Sequence, residues 1–350
     1  MSTLKVDGIR SNSATSDAIT LASDGTCIAN ITNNLSNRNL IINGAMQVAQ
    51  RGTSSTSSGM HSVDRFTVNS SGGGVTQAQV SESSGTVFEN GFHNYLRLTN
   101  TSNTTTDTDY RFIAQTIEAQ NVVNSGWNFK SASSYVTLSF WVRSSLAGTY
   151  YALLDSRDGT GRRFSFSYTL SADTWTKVTK TISGASNIVI NNDNGEGIML
   201  QIIPWYGTYY TTSGHSLNTW HTVSSTDRTP DFSQNWANTS NATFDLTGVQ
   251  LEVSDHATDF EHRSFGQELA LCQRYYQKSF EYHHLNAQNG ESDRWITFKT
   301  EMRASPTVTT SPTNSVSFAV HVPTVNGFSG DGSGNSHANW NLGWTASSEL

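Results

Sequence analysis

At 350 residues the chain is long enough for one large core or two moderate ones, and only 14% of it is charged while 11% is aromatic. Its formal net charge is -7, and no window gathers Lys and Arg into a stripe, which leaves nucleic acid without its electrostatic footprint. Cys27 and Cys272 make no disulfide framework, no paired zinc-ligand spacing occurs, and there is neither a signal-peptide apolar region nor a long apolar run, so cytosolic synthesis without membrane insertion is expected.

Ser, Thr, Asn and Gly dominate the remainder, a composition suited to turn-rich antiparallel sheet, so a mainly β fold follows. Residues 1–37 contain no Phe, Trp or Tyr, and their scattered apolar residues cannot bury enough surface to fold alone. The alternating pieces Leu4–Ile9 and Ala18–Leu21 read as short strands of an attachment segment. From 38 to 66 the chain passes through Leu40–Ile42, Ala45 and Met46 and a Gly/Ser/Thr loop to Val63–Phe66, where Asp64 and Arg65 form either a buried or a solvated pair.

Strands then follow at sandwich spacing. Val136, Leu138, Phe140 and Val142 face one way, and Thr137, Ser139, Trp141 and Arg143 the other. Tyr150–Asp155 and Phe164–Leu170 flank Asp158–Gly161, whose glycines permit the positive φ of a hairpin. Further strands are expected at 175–182, 188–190 and 198–203, and the last runs to Val253. There the period changes. From Gly266 to Phe280 the positions Leu269, Cys272, Tyr276 and Phe280 recur at i, i+3, i+7 and i+11, which predicts an amphipathic helix with an apolar seam. That seam either joins copies of the chain or covers its own sandwich. Strand-like segments at 294–299, 307–309, 316–322 and 340–345, with a glycine-rich loop at 326–335, predict a small C-terminal β-domain.

The phrases NRNLIINGAMQVAQRG (37–52), SVDRF (62–66), GVQLEV (248–253) and ATDFEHRSFGQELALCQRYY (257–276) resemble those of a family of tailed-bacteriophage virion proteins, over roughly residues 36 to 310. The resemblance implies an antiparallel jelly-roll β-sandwich like a carbohydrate-binding module. It also implies a homotrimeric tail fibre or spike that recognises bacterial surface polysaccharide, with localisation in the virion. The expected organisation is an N-terminal virion-attachment segment (1–37) contacting other virion proteins, the jelly roll (38–263), a connecting helix (264–280) and the C-terminal β-domain (281–350). A capsid-decorating fibre with a structural role and a polysaccharide depolymerase are the alternatives. Related jelly rolls hold a structural calcium, which would implicate the neighbourhoods of Asn43 and Asp245; no other cofactor is expected.

The densest aromatic stretch, Trp205, Tyr206, Tyr209, Tyr210, Trp220 and Trp236, is a candidate glycan platform, because ring faces stack on sugar C–H surfaces; the same residues could instead staple a loop to the sandwich. His215, His221, His256 and His283–His284 lack helical metal-ligand spacing. For catalysis, Asp155, Asp158, Asp227, Asp231 and Glu252 share no motif, and neither a nucleophile elbow nor a β-helix period is present, so no enzyme is expected.

Overall fold

The computed structural model describes residues 6–13, 15, 17–21, 23, 27–29, 37–284, 292–313, 317–333 and 339–350. The chain divides into two units, Met1–Arg38 and Asn39–Leu350. In the first, strands β1 (Gly8–Ile9), β2 (Ile19–Leu21) and β3 (Cys27–Ala29) pair antiparallel in that order. With no aromatic residue to bury, Val6, Ile9 and Leu21 stay exposed. Leu4, expected to begin the first strand, lies outside the described residues.

The second unit opens with a jelly-roll β-sandwich. Its first half comprises β4 (Ser54–Ser55), β5 (Thr67–Ser70), β6 (Val75–Ser81), the short helix α1 (Thr86–Glu89), β7 (Asn94–Asn100), β8 (Tyr110–Glu118) and α2 (Ala119–Val123). Its second half comprises β9 (Tyr135–Ser144), β10 (Gly148–Ser156), β11 (Arg162–Leu170), β12 (Thr176–Ser183), β13 (Glu196–Tyr206), β14 (Trp220–Thr222) and β15 (Thr243–Glu252). One antiparallel sheet has the order β14-β11-β10-β13-β8-β5 and the other β12-β9-β15-β7-β6-β4. The alternation read from the sequence is what fills the space between them. Val136, Leu138, Phe140 and Val142 of β9 meet Tyr150, Ala152 and Leu154 of β10 and Leu246 and Leu251 of β15 in one buried core. Each fully buried side chain of this size contributes about 1.5–3 kcal/mol. The β10–β11 hairpin turns at Gly159, whose φ is +58. Residues 188–190 form no strand; Ile188 and Ile190 are buried from a loop.

After the sandwich, α3 (Phe265–Gln273) begins at a capping box, with the Ser264 hydroxyl accepting from the Gln267 N–H and the Gln267 side chain accepting from the Ser264 N–H. The expected helix to Phe280 is corrected: α3 ends at Gln273, and β16 (Tyr276–His284) starts three residues later. Tyr276, Lys278 and Phe280 alternate with Gln277 and Ser279, and Gln277 is buried and bonded to the Thr300 carbonyl at 2.6 Å and the Lys299 N–H at 2.9 Å. Period 2 therefore wins over period 3.6 in a window that both fit.

The remaining strands are β17 (Ser292–Thr297), β18 (Thr307–Pro312), β19 (Ser317–Thr324), β20 (Gly327–Ser333) and β21 (Asn339–Ser347). They form two three-stranded sheets, β16-β21-β18 and β17-β20-β19, around Ile296, Phe298, Met302, Phe328, Leu342, Trp344 and Ala346. The glycine-rich loop expected at 326–335 is instead strand β20 over Gly327–Ser333. Its glycines make room for neighbours: a Cβ on Gly330 would lie 2.3 Å from the Phe318 ring.

The phrases that carried the resemblance meet at one corner. Asn39 donates to the Val249 carbonyl and accepts from the Leu251 N–H, at 3.1 Å each, and the Val249 N–H donates to the Gly44 carbonyl at 3.0 Å. Asp64 and Arg65 are both buried, but each pairs elsewhere. Asp64 accepts from Gln50, whereas Arg65 binds Glu349 and stacks on Tyr275 with its guanidinium 3.4 Å from the ring centroid. The Tyr275 hydroxyl donates to the buried Glu118 carboxylate, which Arg274 also reaches at 3.2 Å.

Candidate functional site

The six aromatic residues of the expected platform are not presented together to solvent. Trp236 is fully buried, its indole N–H donating to the Thr243 carbonyl at 3.1 Å, and Trp205 and Tyr206 are buried on β13. Burial pushes the Tyr206 hydroxyl up to about 12, and it donates to Gln201 at 2.6 Å. Trp220 is half-buried against Phe164 and bonds the Ser183 carbonyl at 2.7 Å; Tyr210 is half-buried beside Tyr206, and Tyr209 alone is largely exposed. Tyr206 and Tyr210, with Phe232 and Leu217, hold the 207–235 segment over the outer face of the first sheet at Tyr151, Leu153 and Ile203, whereas Trp205, Trp220 and Trp236 pack with the core between the sheets. Beneath the segment the Arg163–Asp155 pair closes through two hydrogen bonds of 2.8 and 2.7 Å, and His215 meets Asp227 at 2.7 Å. The platform expectation is thereby corrected to loop stapling, since five of the six rings are occupied by the chain itself.

The expected seam is likewise dispersed. Cys272 packs with Ile42, Val48 and Tyr275 inside the chain, Leu269 lies partly buried against that cluster, and Tyr276 is covered by Arg51 at 3.7 Å. Phe280 is exposed, on the outer face of β16. The helix covers its own sandwich because its apolar side meets the strandless stretch around Ile42 and Val48.

Neither calcium neighbourhood offers a shell of oxygens. The Asn43 side chain is spent on Val48 and on the Asp64 carbonyl, and both Asp245 oxygens accept from Arg97 and Arg143. Among the described residues no group of three or more His, Cys, Asp and Glu is placed to hold a metal ion. The side chains of His283 and His284 lie outside the described residues.

An open groove lies instead on the outer face of the second sheet. Trp141 on β9 and Lys177 on β12 are paired in register, and Trp141 also pairs Thr247 on β15. One residue later β15 bulges at Gly248, with φ +62. A Cβ there would lie 2.7 Å from the Phe92 ring and 3.0 Å from the Trp141 indole, so only glycine lets the two rings approach. Phe92, Phe260 and His262 form a ring cluster with centroids 4.9 to 5.3 Å apart.

Between these rings, Asn90, Ser139, Lys177 and Asp259 enclose a hollow of about 170 Å³. His262 also borders a second hollow of about 510 Å³, walled by Gln47, His93, Asn94 and Arg263, with the exposed Phe265 at its rim. Burial first, and then the neighbouring His93, lower the His262 pKa, which favours a neutral imidazole that can both donate and accept. Apolar ring surface beside amides, hydroxyls and an imidazole can stack on a sugar and bond its hydroxyls. The alternation along β9 already separates Trp141 and Ser139 from the core; Phe260, His262 and Phe265 carry no signal in the sequence because only the chain's return past the bulge brings them alongside.

No protein-family model matches the chain, and no curated protein matches it. Among solved structures it is similar to an arabinose-bound α-L-arabinofuranosidase, with 11% identity and a TM-score of 0.34 over 61% of this chain and 26% of that one. It is also similar to the CBM22-1 xylan-binding domain from Paenibacillus barcinonensis Xyn10C, with 12% identity and a TM-score of 0.31 over 63% and 96%. The family 11 carbohydrate-binding module from Clostridium thermocellum, in complex with a mixed-linked tetrasaccharide, gives 14% identity and a TM-score of 0.30 over 60% and 98%. The chain spans about a quarter of the arabinofuranosidase's length.

Proposed function

We infer that the protein binds glycan without cleaving it, through the groove on the second sheet, and does so as the fibre or spike of a phage particle. The observation that carries the glycan reading is the groove itself: the half-buried Trp141 and the exposed Phe265 stand at opposite ends of two hollows that share His262, with hydrogen-bonding side chains between them. The virion setting draws on the sequence phrases and on an N-terminal unit that keeps apolar side chains exposed, as an attachment segment requires. In that setting the chain is a homotrimer, and three copies convert a weak site into useful avidity.

The test is a glycan array of bacterial capsular and O-chain polysaccharides probed with the full chain. At least one glycan is retained, Trp141→Ala weakens it about tenfold or more, and Tyr209→Ala leaves it unchanged. No reducing ends appear on prolonged incubation. A blank array, or a Trp141→Ala protein that binds as the parent does, overturns the reading.

A further inference from the structure

We propose that the groove takes an acidic glycan, one whose sugars carry carboxylate groups, and that Arg97, Arg143 and Lys177 receive those carboxylates; this rests on the glycan reading above. Register places the charges. Arg143 of β9 pairs Asp245 of β15, and Asp245 pairs Arg97 of β7, so the three lie in one row across the second sheet. The next outward-facing residues on β9 and β12 are Trp141 and the exposed Lys177, about 7 Å away. The row and the groove therefore form one continuous outer surface of the second sheet.

Two guanidiniums share one carboxylate there. Asp245 is buried, with a side chain only 1% exposed, while the side chains of Arg97 and Arg143 are 32% and 22% exposed. Each arginine spends Nε and Nη2 on Asp245, at 2.7 to 2.9 Å. Each keeps an Nη1 group that no hydrogen bond among the described residues uses and that is not among the buried unpartnered atoms. A ligand approaching this face meets N–H donors fixed in place and does not meet the carboxylate that fixes them.

Aromatic faces hold the donors still: the Arg143 guanidinium lies 4.6 Å from the Trp175 ring, and both guanidiniums flank Tyr95, at 5.2 and 5.6 Å. A guanidinium already oriented this way loses little freedom on accepting a carboxylate. Asp259 in the groove wall and Glu82 near Arg97 offset part of the positive charge. The preference consequently comes from directed donors and persists in a chain of net charge -7.

The experiment titrates the full chain with polygalacturonate, alginate and hyaluronate, each beside its own carboxyl-reduced form, at about 0.05 and 0.3 M salt. At least one acidic polymer binds about tenfold or more tightly than its reduced form, and the difference shrinks at the higher salt. Lys177→Gln, an exposed change, and Arg97→Gln, which leaves Arg143 on Asp245, each diminish that difference while the melting temperature reports an intact fold. Equal binding of acidic and reduced polymers overturns the acidic class and leaves the glycan reading standing, as does an array that retains neutral glycans only. Binding of neither form together with a blank array overturns both.

Discussion

Glu118 shows how one side chain ties three segments together. Burial alone would raise its pKa, but hydrogen bonds from Tyr275 and Gln120 and the charge of Arg274 outweigh that, and the net shift is downward. A carboxylate depressed in the folded state contributes stability that is present above its ordinary pKa near 4.5 and is lost as pH falls through the folded value. Tyr275→Phe removes one donor to a charged acceptor and is expected to cost about 1.5–3 kcal/mol at neutral pH. Denaturant titrations of the two proteins should converge as the pH is taken below that value; a constant gap would show that ring packing against Arg65, and not the hydrogen bond, is what the hydroxyl supports. Tyr275, Asp64 and Arg65 stood out in the sequence as parts of the phrases that carry the resemblance, yet their partners Glu118 and Glu349 are far away in the chain and bore no mark.

At the scale of elements, the window 264–280 was legible as a change of period and misread in its extent. The start was written in the chain as Ser264-x-x-Gln267. The end was not, because Tyr276 and Phe280 satisfy either period, and pairing with β21 along Tyr276–His284 decides for strand. The residues that follow β21 fix the small domain against the sandwich. The Ser348 N–H donates to the Tyr275 carbonyl at 2.8 Å, Arg303 bonds the Ser348 carbonyl, Glu349 takes Arg51 and Arg65, and Leu350 packs against the Cys272 cluster. Removing residues 348–350 strands the buried Arg65 without its carboxylate, so the small domain should separate from the sandwich on heating. Calorimetry is expected to show two transitions in place of one; a single transition at the parent temperature would mean that β16 and β21 hold the two parts together unaided.

For the whole molecule the open question is assembly, and the dispersed seam moves its location. Cys272 and Tyr276 are consumed within the chain, whereas Phe280, Trp295 and Val322 remain exposed on the small domain, whose buried core is only a handful of residues. A core that small gains from subunit contacts. Light scattering of the full chain should give three times the protomer mass, and Phe280→Ser should lower it. A monomeric parent would remove the self-assembling fibre and leave a single-copy glycan-binding module.

The sequence by itself determined what local periodicity and composition can determine. Alternation along β9, β10 and β15 names both faces of the sandwich, and the glycines of Asp158–Gly161 mark its hairpin. Only the tertiary structure decided which aromatic residues stay open to solvent. Trp205, Tyr206 and Trp236 are close in sequence and read as a platform, but the surface that can stack on a sugar joins Trp141, Phe260, His262 and Phe265, brought together by strand register and by the bulge at Gly248. Exposure is a property of what folds over a residue: the 207–235 segment closes over Tyr206, whereas the rings beside Trp141 come from the distant return of the chain past Gly248.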